Sequence, residues 1–330
     1  MKLTLHIGTE KTGTTSLQKW MAANRAELLK QGVFYPKSLG SSRHIKASVF
    51  ASDFVNGDKI AYRIRGIEDE EALVSFRNRL RQQFHAEVAD ARANGYHHCF
   101  ISDEGLQAVL RNQDELLRLK SSLLSVFDDI QIIICLRPQI DYGLSLASTF
   151  SRLGFTINRK WLSNVSPEFP RFNYNALVHA WEEIFGADAV KLVSYKNNPR
   201  SIPLFKQILG LSNEGASWTE VERENSFVDW RYIRLINKAQ GEERNHLRSV
   251  LDQLPHFQKL ELGKEAARTI ARQFDESNGR LVNRRVDIAL ADLGSDEETS
   301  ERTGNFAKLE ETFDDDGLAY DLIKRMTSAT

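Results

Sequence analysis

The sequence predicts an α/β protein with a central parallel sheet, helices on both faces and helical additions toward the C-terminus. Three observations carry this. First, Leu3, Leu5 and Ile7 alternate with polar residues as a strand does, and a Gly-containing loop follows at once. Leu17, Trp20, Met21, Leu28 and Leu29 then recur at helical spacing, with Gly32 placed to stop the helix. Second, the run from Ile130 to Leu136 is apolar enough to be a strand buried on both faces, the signature of a parallel sheet. Third, strand and helix patterns keep alternating: a strand over 96–102, a helix over 116–127, a helix over 174–185 and a strand over 189–195.

The loop after the first strand reads His6-Ile7-Gly8-Thr9-Glu10-Lys11-Thr12-Gly13-Thr14-Thr15-Ser16. A strand that delivers a tight turn into a helix N-terminus leaves several backbone N–H groups aimed at one spot, and that spot attracts an anion. Gly8 and Gly13 permit the turn, while Thr12, Thr14, Thr15 and Ser16 add hydroxyl donors. The nucleoside triphosphate pattern puts lysine directly after its second glycine. Here Thr14 has that position and Lys11 lies inside the loop, so an ordinary ATPase or GTPase assignment weakens.

A second element follows the strand over 130–136. Arg137 stands at its carboxyl end, where open α/β sheets bind ligands. Pro138 breaks the strand, Asp141 is suited to cap the next helix, and Ser145 lies one turn into it. A planar guanidinium grips phosphate with two parallel hydrogen bonds, and a hydroxyl completes the shell. The strand over 96–102 ends in Asp103 and Glu104, carboxylates that face the same crevice if the sheet is parallel.

Together these segments resemble the sulfotransferases that use 3′-phosphoadenosine 5′-phosphosulfate, PAPS, the bacterial members above all. The Lys-x-Gly-Thr-Thr loop of Lys11 to Thr15 is similar to their 5′-phosphosulfate loop, and Arg137 with Ser145 to their 3′-phosphate motif. Ser102-Asp103-Glu104-Gly105-Leu106 resembles the segment whose glutamate serves as base. The resemblance implies a P-loop-like three-layer α/β/α fold and transfer of a sulfuryl group to a hydroxyl or amine, a carbohydrate or other small metabolite being the leading acceptor.

It also implies Lys11 as the group that neutralises charge without a metal, Thr12 to Ser16, Arg137 and Ser145 as donor-binding residues, and Glu104 as base. Asp103 could exchange roles with Glu104. His44, in a loop with Arg43 and Lys46, is the rival base, since an imidazole titrates in the useful range. Bacterial relatives have an Asn-Ser element where Arg223 and Asn225 stand, so these two could touch the nucleotide or acceptor. Asn225 or Ser226 could equally cap a helix.

Composition bounds the rest. The 330 residues are 41% hydrophobic, ordinary for a globular chain. A formal net charge of -1 argues against a dedicated nucleic-acid partner. No apolar stretch reaches membrane-spanning length and no leader pattern is present, so a cytoplasmic bacterial protein is expected. Cys99 and Cys135 both fall in expected strands and read as core residues.

A long helix over 68–94 carries Leu73, Phe76, Leu80, Phe84 and Val88 on one face. The aromatic, basic stretch from Phe150 to Phe172 is suited to cover an acceptor. The expected organisation is one α/β domain over 1–290, with its nucleotide-binding core to about residue 210 and a helical extension over about 222–290. An acidic surface tail over 291–330, with a short helix near 318–326, completes the chain. Two other functions stay open: a P-loop kinase or NTPase with a displaced lysine, for which Asp103 is the tempting metal-binding acid, and a non-catalytic nucleotide-binding protein of the same fold.

Overall fold

A computed structural model describes residues 1–222, 227–301 and 303–311. Its frame is a five-stranded sheet: β1 (Lys2–His6), β2 (Val33–Phe34), β3 (His98–Ser102), β4 (Asp129–Leu136) and β5 (Val190–Ser194). The spatial order is β2-β3-β1-β4-β5 and every neighbouring pair is parallel. All carboxyl ends therefore point one way, and the chain changes direction across the sheet beside β1.

Helices cover both faces, so the layers are α/β/α. On one face Phe100, Ile133 and Cys135 pack against Leu17, Trp20 and Met21 of helix α1 (Thr14–Ala23) and against Phe205 of the Ser201–Ile208 helix. On the other, Leu5 and Ile101 meet Phe50, Leu80, Phe84 and Leu119, from the helices Lys46–Ala51, Glu70–Ala93 and Gln113–Leu124. Burial of each such side chain contributes about 1.5–3 kcal/mol. Both cysteines are buried and unpaired within this core.

Several elements lie where periodicity puts them: the long helix is Glu70–Ala93, and the later one is Tyr174–Phe185. The first helix differs. It is broken at Asn24, whose side chain donates to the Trp20 and Thr219 carbonyls at 2.8 and 2.9 Å, and a second helix runs Arg25–Lys30.

The chain divides into two compact units. Among the described residues the sheet unit comprises 1–137, 173–222 and 278–293; the other comprises 138–172, 227–277, 294–301 and 303–311. In the second unit the Gln139–Arg152 helix packs on the helices Trp230–Lys238 and Lys264–Gln273. Gly143 lies so close to Val165 that a Cβ there would stand 2.6 Å from a Val165 methyl.

Asp141 does not cap this helix: Pro138 precedes it, and the Asp141 carboxylate accepts from the Ser295 hydroxyl. The acidic stretch after 291 is folded as far as it is described, because apolar side chains anchor it. Phe306 and Leu309 are buried, and the Glu261 carbonyl accepts from Asn305 and Phe306 N–H at 3.0 Å each. Glu297 accepts from the Leu262 N–H. Where one domain over 1–290 with a tail is expected, contacts divide the described residues into two compact units, and 294–301 and 303–311 fall in the second; the helix expected near 318–326 lies outside the described residues. No helix among the described residues is long and apolar enough to cross a membrane.

Candidate active site

The loop over 6–16 leaves the sheet gradually. Ile7 and Thr9 N–H donate to the Ile133 and Cys135 carbonyls at 3.1 and 2.8 Å, and Cys135 N–H donates to the Gly8 carbonyl at 2.6 Å. The loop's first limb is therefore an extension of β1 paired to β4. Gly8 (φ 107°) and Gly13 (φ 79°) turn the chain, and Lys11 adopts the left-handed conformation at φ 65°. For a residue with a Cβ that geometry costs about 1–2 kcal/mol.

Side chains hold the turn. The Thr12 hydroxyl donates to the Thr9 carbonyl at 2.7 Å, and Ser201 Oγ donates to the Gly13 carbonyl at 2.9 Å. α1 starts at Thr14 straight after Gly13 and, among the described residues, no side chain caps it. Thr12 and Thr14 are buried, Thr15 is exposed, and Lys11 and Ser16 are half-buried. A cavity of about 650 Å³ opens beside the helix start, lined by Gly13, Ser16, Arg200, Ser201, Lys206 and Val221 among others.

Arg137, one residue past β4, reaches this loop. Its Nη1 donates to the Lys11 carbonyl at 2.7 Å, holding the left-handed residue, and its guanidinium carbon lies 5.2 Å from the centre of the Tyr195 ring. The Tyr174 hydroxyl fixes the Arg137 backbone by donating to its carbonyl at 2.6 Å. Arg137 Nε is buried and has no hydrogen-bond partner among the described residues. A buried N–H without an acceptor, on a cation beside a glycine turn, suits an anionic ligand such as a phosphate. Ser145 is half-buried on the Gln139–Arg152 helix in the second unit. Arg223 and Asn225 lie outside the described residues.

The two carboxylates after β3 have different surroundings. Asp103 is fully buried and accepts from Arg43 Nε at 2.8 Å, Ser48 N–H at 3.1 Å and Gly105 N–H at 3.0 Å. That shell is structural. Glu104 stands against the loop: a Cβ on Gly8 would be 3.2 Å from its own Cβ. Arg43 Nη1 lies 3.2 Å from Glu104 Oε1, and Gln18 Nε2 donates to Oε2 at 2.7 Å. Burial pushes the Glu104 carboxyl above the usual glutamate range; Arg43 opposes this and the nearby Asp103 adds to it. Burial works against the Arg43 cation, yet Asp103 and Glu104 keep it charged and raise its pKa overall.

His44, the rival base, is not free to act as one. It is fully buried, Nε2 faces the Pro36 carbonyl at 2.9 Å, and Nδ1 accepts from the Ser102 N–H at 3.2 Å. Both nitrogens are engaged by backbone, and burial lowers its pKa to about 3. It ties the loop before the Lys46–Ala51 helix to the end of β3.

No family model matches this chain, and the curated proteins give no match. Solved structures do. A sulfotransferase from Alicyclobacillus acidocaldarius is similar, with 14% identity, a TM-score of 0.42, and coverage of 86% of this chain and 96% of that one. The sulfotransferase domain of the Synechococcus PCC 7002 olefin synthase is another, with 12% identity, a TM-score of 0.37, and coverage of 77% and 96% respectively.

Sequence reasoning passed over Gln18, Ser201, Tyr174 and Tyr195. Gln18 alone left a local signal, since it lies four residues after Thr14 and so on the same face of α1. The other three reach the loop or Arg137 only through tertiary packing.

Proposed function

We propose that this chain is a sulfotransferase that moves a sulfuryl group from PAPS to a hydroxyl or amine, with a carbohydrate or other small metabolite as acceptor. One observation carries this reading: Arg137 and Glu104, from the ends of two different strands, both touch the Lys11 loop, one at the Lys11 carbonyl and the other at Gly8. The pattern of an anion loop, a guanidinium and a carboxylate whose pKa burial raises is what acid–base-assisted group transfer requires.

When bound, PAPS supplies an electrophilic sulfur and a phosphate leaving group. Thr14, Thr15, Ser16 and the loop N–H groups hold the 5′-phosphate, with Thr12 and Gly13 shaping the turn. Arg137 takes the 3′-phosphate, and the resemblance assigns Ser145, Arg223 and Asn225 to the same ligand. Lys11 neutralises the charge that grows on the bridging oxygen as its bond to sulfur breaks. Glu104 accepts the acceptor's proton as the new bond to sulfur forms, and its raised pKa makes it a stronger base than an exposed glutamate.

The kinase reading asks Asp103 to hold a metal, whereas its carboxylate already accepts from Arg43 Nε and from the Ser48 and Gly105 N–H groups. Calorimetry with 3′,5′-adenosine bisphosphate, and separately with ATP and magnesium, is the test. Tight metal-independent binding of the bisphosphate is expected; preference for ATP with magnesium would sink the proposal.

A further inference from the structure

Glu104 is gripped on one carboxylate oxygen by an uncharged side chain that the mechanism above does not use. Gln18 is buried on α1, one helical turn beyond Thr14. Its Nε2 faces three oxygens: Glu104 Oε2 at 2.7 Å, Ser102 Oγ at 3.2 Å and the Ser102 carbonyl at 3.4 Å. Ser102 Oγ in turn lies 2.9 Å from His6 Nδ1.

The ionised Glu104 carboxylate and the Ser102 carbonyl can only accept, so an amide oxygen at this point would meet two acceptors, and the Gln18 nitrogen faces Glu104 whichever way the Ser102–His6 hydrogen bond runs. Ser102 belongs to β3 and His6 to β1, so the amide is set by the two paired strands that also carry Glu104 and the loop.

We propose that Gln18 is the positioning residue for the base: its amide, oriented by Ser102 and His6, locks the Glu104 carboxylate against the Lys11 loop. This rests on the sulfotransferase reading for its chemistry and on geometry alone for the lock. An amide donor stabilises the carboxylate without adding a second cation beside Arg43, whose guanidinium already opposes proton uptake at the other oxygen. The other charged or titratable groups facing Glu104 are Asp103 beside it and Tyr35, after β2. Because the anion loop runs straight into α1, one rigid helix sets both the end of the donor-binding turn and the base.

The lock is tested without any ligand by labelling glutamate carboxyl carbons with carbon-13 and following the Glu104 resonance, assigned by its loss in Glu104→Gln, through a pH titration. Gln18→Met keeps the length and removes the donor; Gln18→Glu keeps the shape and replaces the donor with an anion. The Glu104 titration is expected at higher pH in Gln18→Met and higher still in Gln18→Glu, an order that mere filling of space does not produce.

In parallel, release of 3′,5′-adenosine bisphosphate from PAPS with water as acceptor is expected to fall about tenfold or more in Gln18→Met, with bisphosphate affinity unchanged. A wild-type titration and rate in a folded Gln18→Met would overturn the proposal; if that variant does not fold, an unmoved titration in Gln18→Glu would do so. Should the titrations move as expected while the wild type neither binds the bisphosphate nor consumes PAPS, the lock stands and the sulfotransferase reading fails.

Discussion

Gly8 lies so close to Glu104 that a Cβ added to it would stand 3.2 Å from the Glu104 Cβ and 3.3 Å from its Cα. The loop that turns into α1 and the strand end that carries the carboxylate therefore share a contact with no room between them. Gly8 also has φ 107°, which L side chains rarely adopt.

Gly8→Ala meets both obstacles at once. The backbone strain alone costs about 1–3 kcal/mol, and relief requires the loop to move away from Glu104. Denaturant unfolding should show a loss in that range, accompanied by weaker binding of 3′,5′-adenosine bisphosphate. A variant of wild-type stability and affinity would mean that the loop has slack the structure does not contain.

Arg137 joins the end of β4 to the loop through the Lys11 carbonyl, and its buried Nε has no partner among the described residues. Hydrogen bonds to charged groups contribute about 1.5–3 kcal/mol each, so Arg137→Ala should weaken the bisphosphate about a hundredfold. Arg137→Lys should recover little, because an ammonium is a point charge that cannot hold the carbonyl and a phosphate in one planar fork. Full recovery in the lysine variant would leave charge, not geometry, as its contribution.

Acid stability follows from histidines buried as neutral rings. Burial lowers His6 and His44 from 6.5 to about 3, and His98 to about 4. A depressed folded pKa gives stability that is complete above the unfolded value, here near pH 6.5, and lost as pH falls toward the folded one. Urea midpoints should thus decline between pH 6.5 and 4.5, before most carboxylates titrate, by up to about 1.4 kcal/mol per pH unit for each histidine. In the double variant His6→Asn, His44→Asn the decline should shrink to the part that His98 and His85, also lowered by burial, supply against the opposite contribution of Glu104. An unchanged slope in that variant would show that these rings are not the source.

How much of this could be read beforehand depends on whether the cause is local. β4 is written in a run of apolar residues, and the helices Glu70–Ala93 and Tyr174–Phe185 in their periodicity, because a buried face needs no knowledge of its partner. The turn residues Gly8 and Gly13 are equally local. By contrast, the break at Asn24 depends on Thr219, whose N–H donates to Asn24 Oδ1 at 2.7 Å from 195 positions away. The burial of His44 depends on Pro36 and Ser102, and the fold of 294–311 on contacts with Leu262 and Glu261. Choosing between Asp103 and Glu104 required Arg43 and Gln18, which lie far from both in sequence and meet them only in the folded chain.

Those two adjacent carboxylates should separate in experiment along the line their surroundings draw. Asp103 accepts from three donors, so Asp103→Asn turns an amide N–H₂ toward at least one of them and removes the charge opposite Arg43. A loss of about 3 kcal/mol in unfolding free energy is expected. Glu104 behaves in the opposite sense. Its folded pKa lies above the ordinary 4.5, so its favourable contribution is present below that pH and is lost as pH rises through the folded value.

At pH 8 the ionised carboxylate therefore weakens the fold, and Glu104→Gln should be at least as stable as the wild type, with the gap closing toward pH 4. The same variant should abolish PAPS turnover while leaving bisphosphate binding intact, since an amide cannot take the acceptor's proton. Matched unfolding curves at pH 8 and pH 4, with PAPS turnover in each variant, decide the matter. If Glu104→Gln proved the less stable of the two and still turned over, the assignment of the structural and the chemical carboxylate would have to be exchanged.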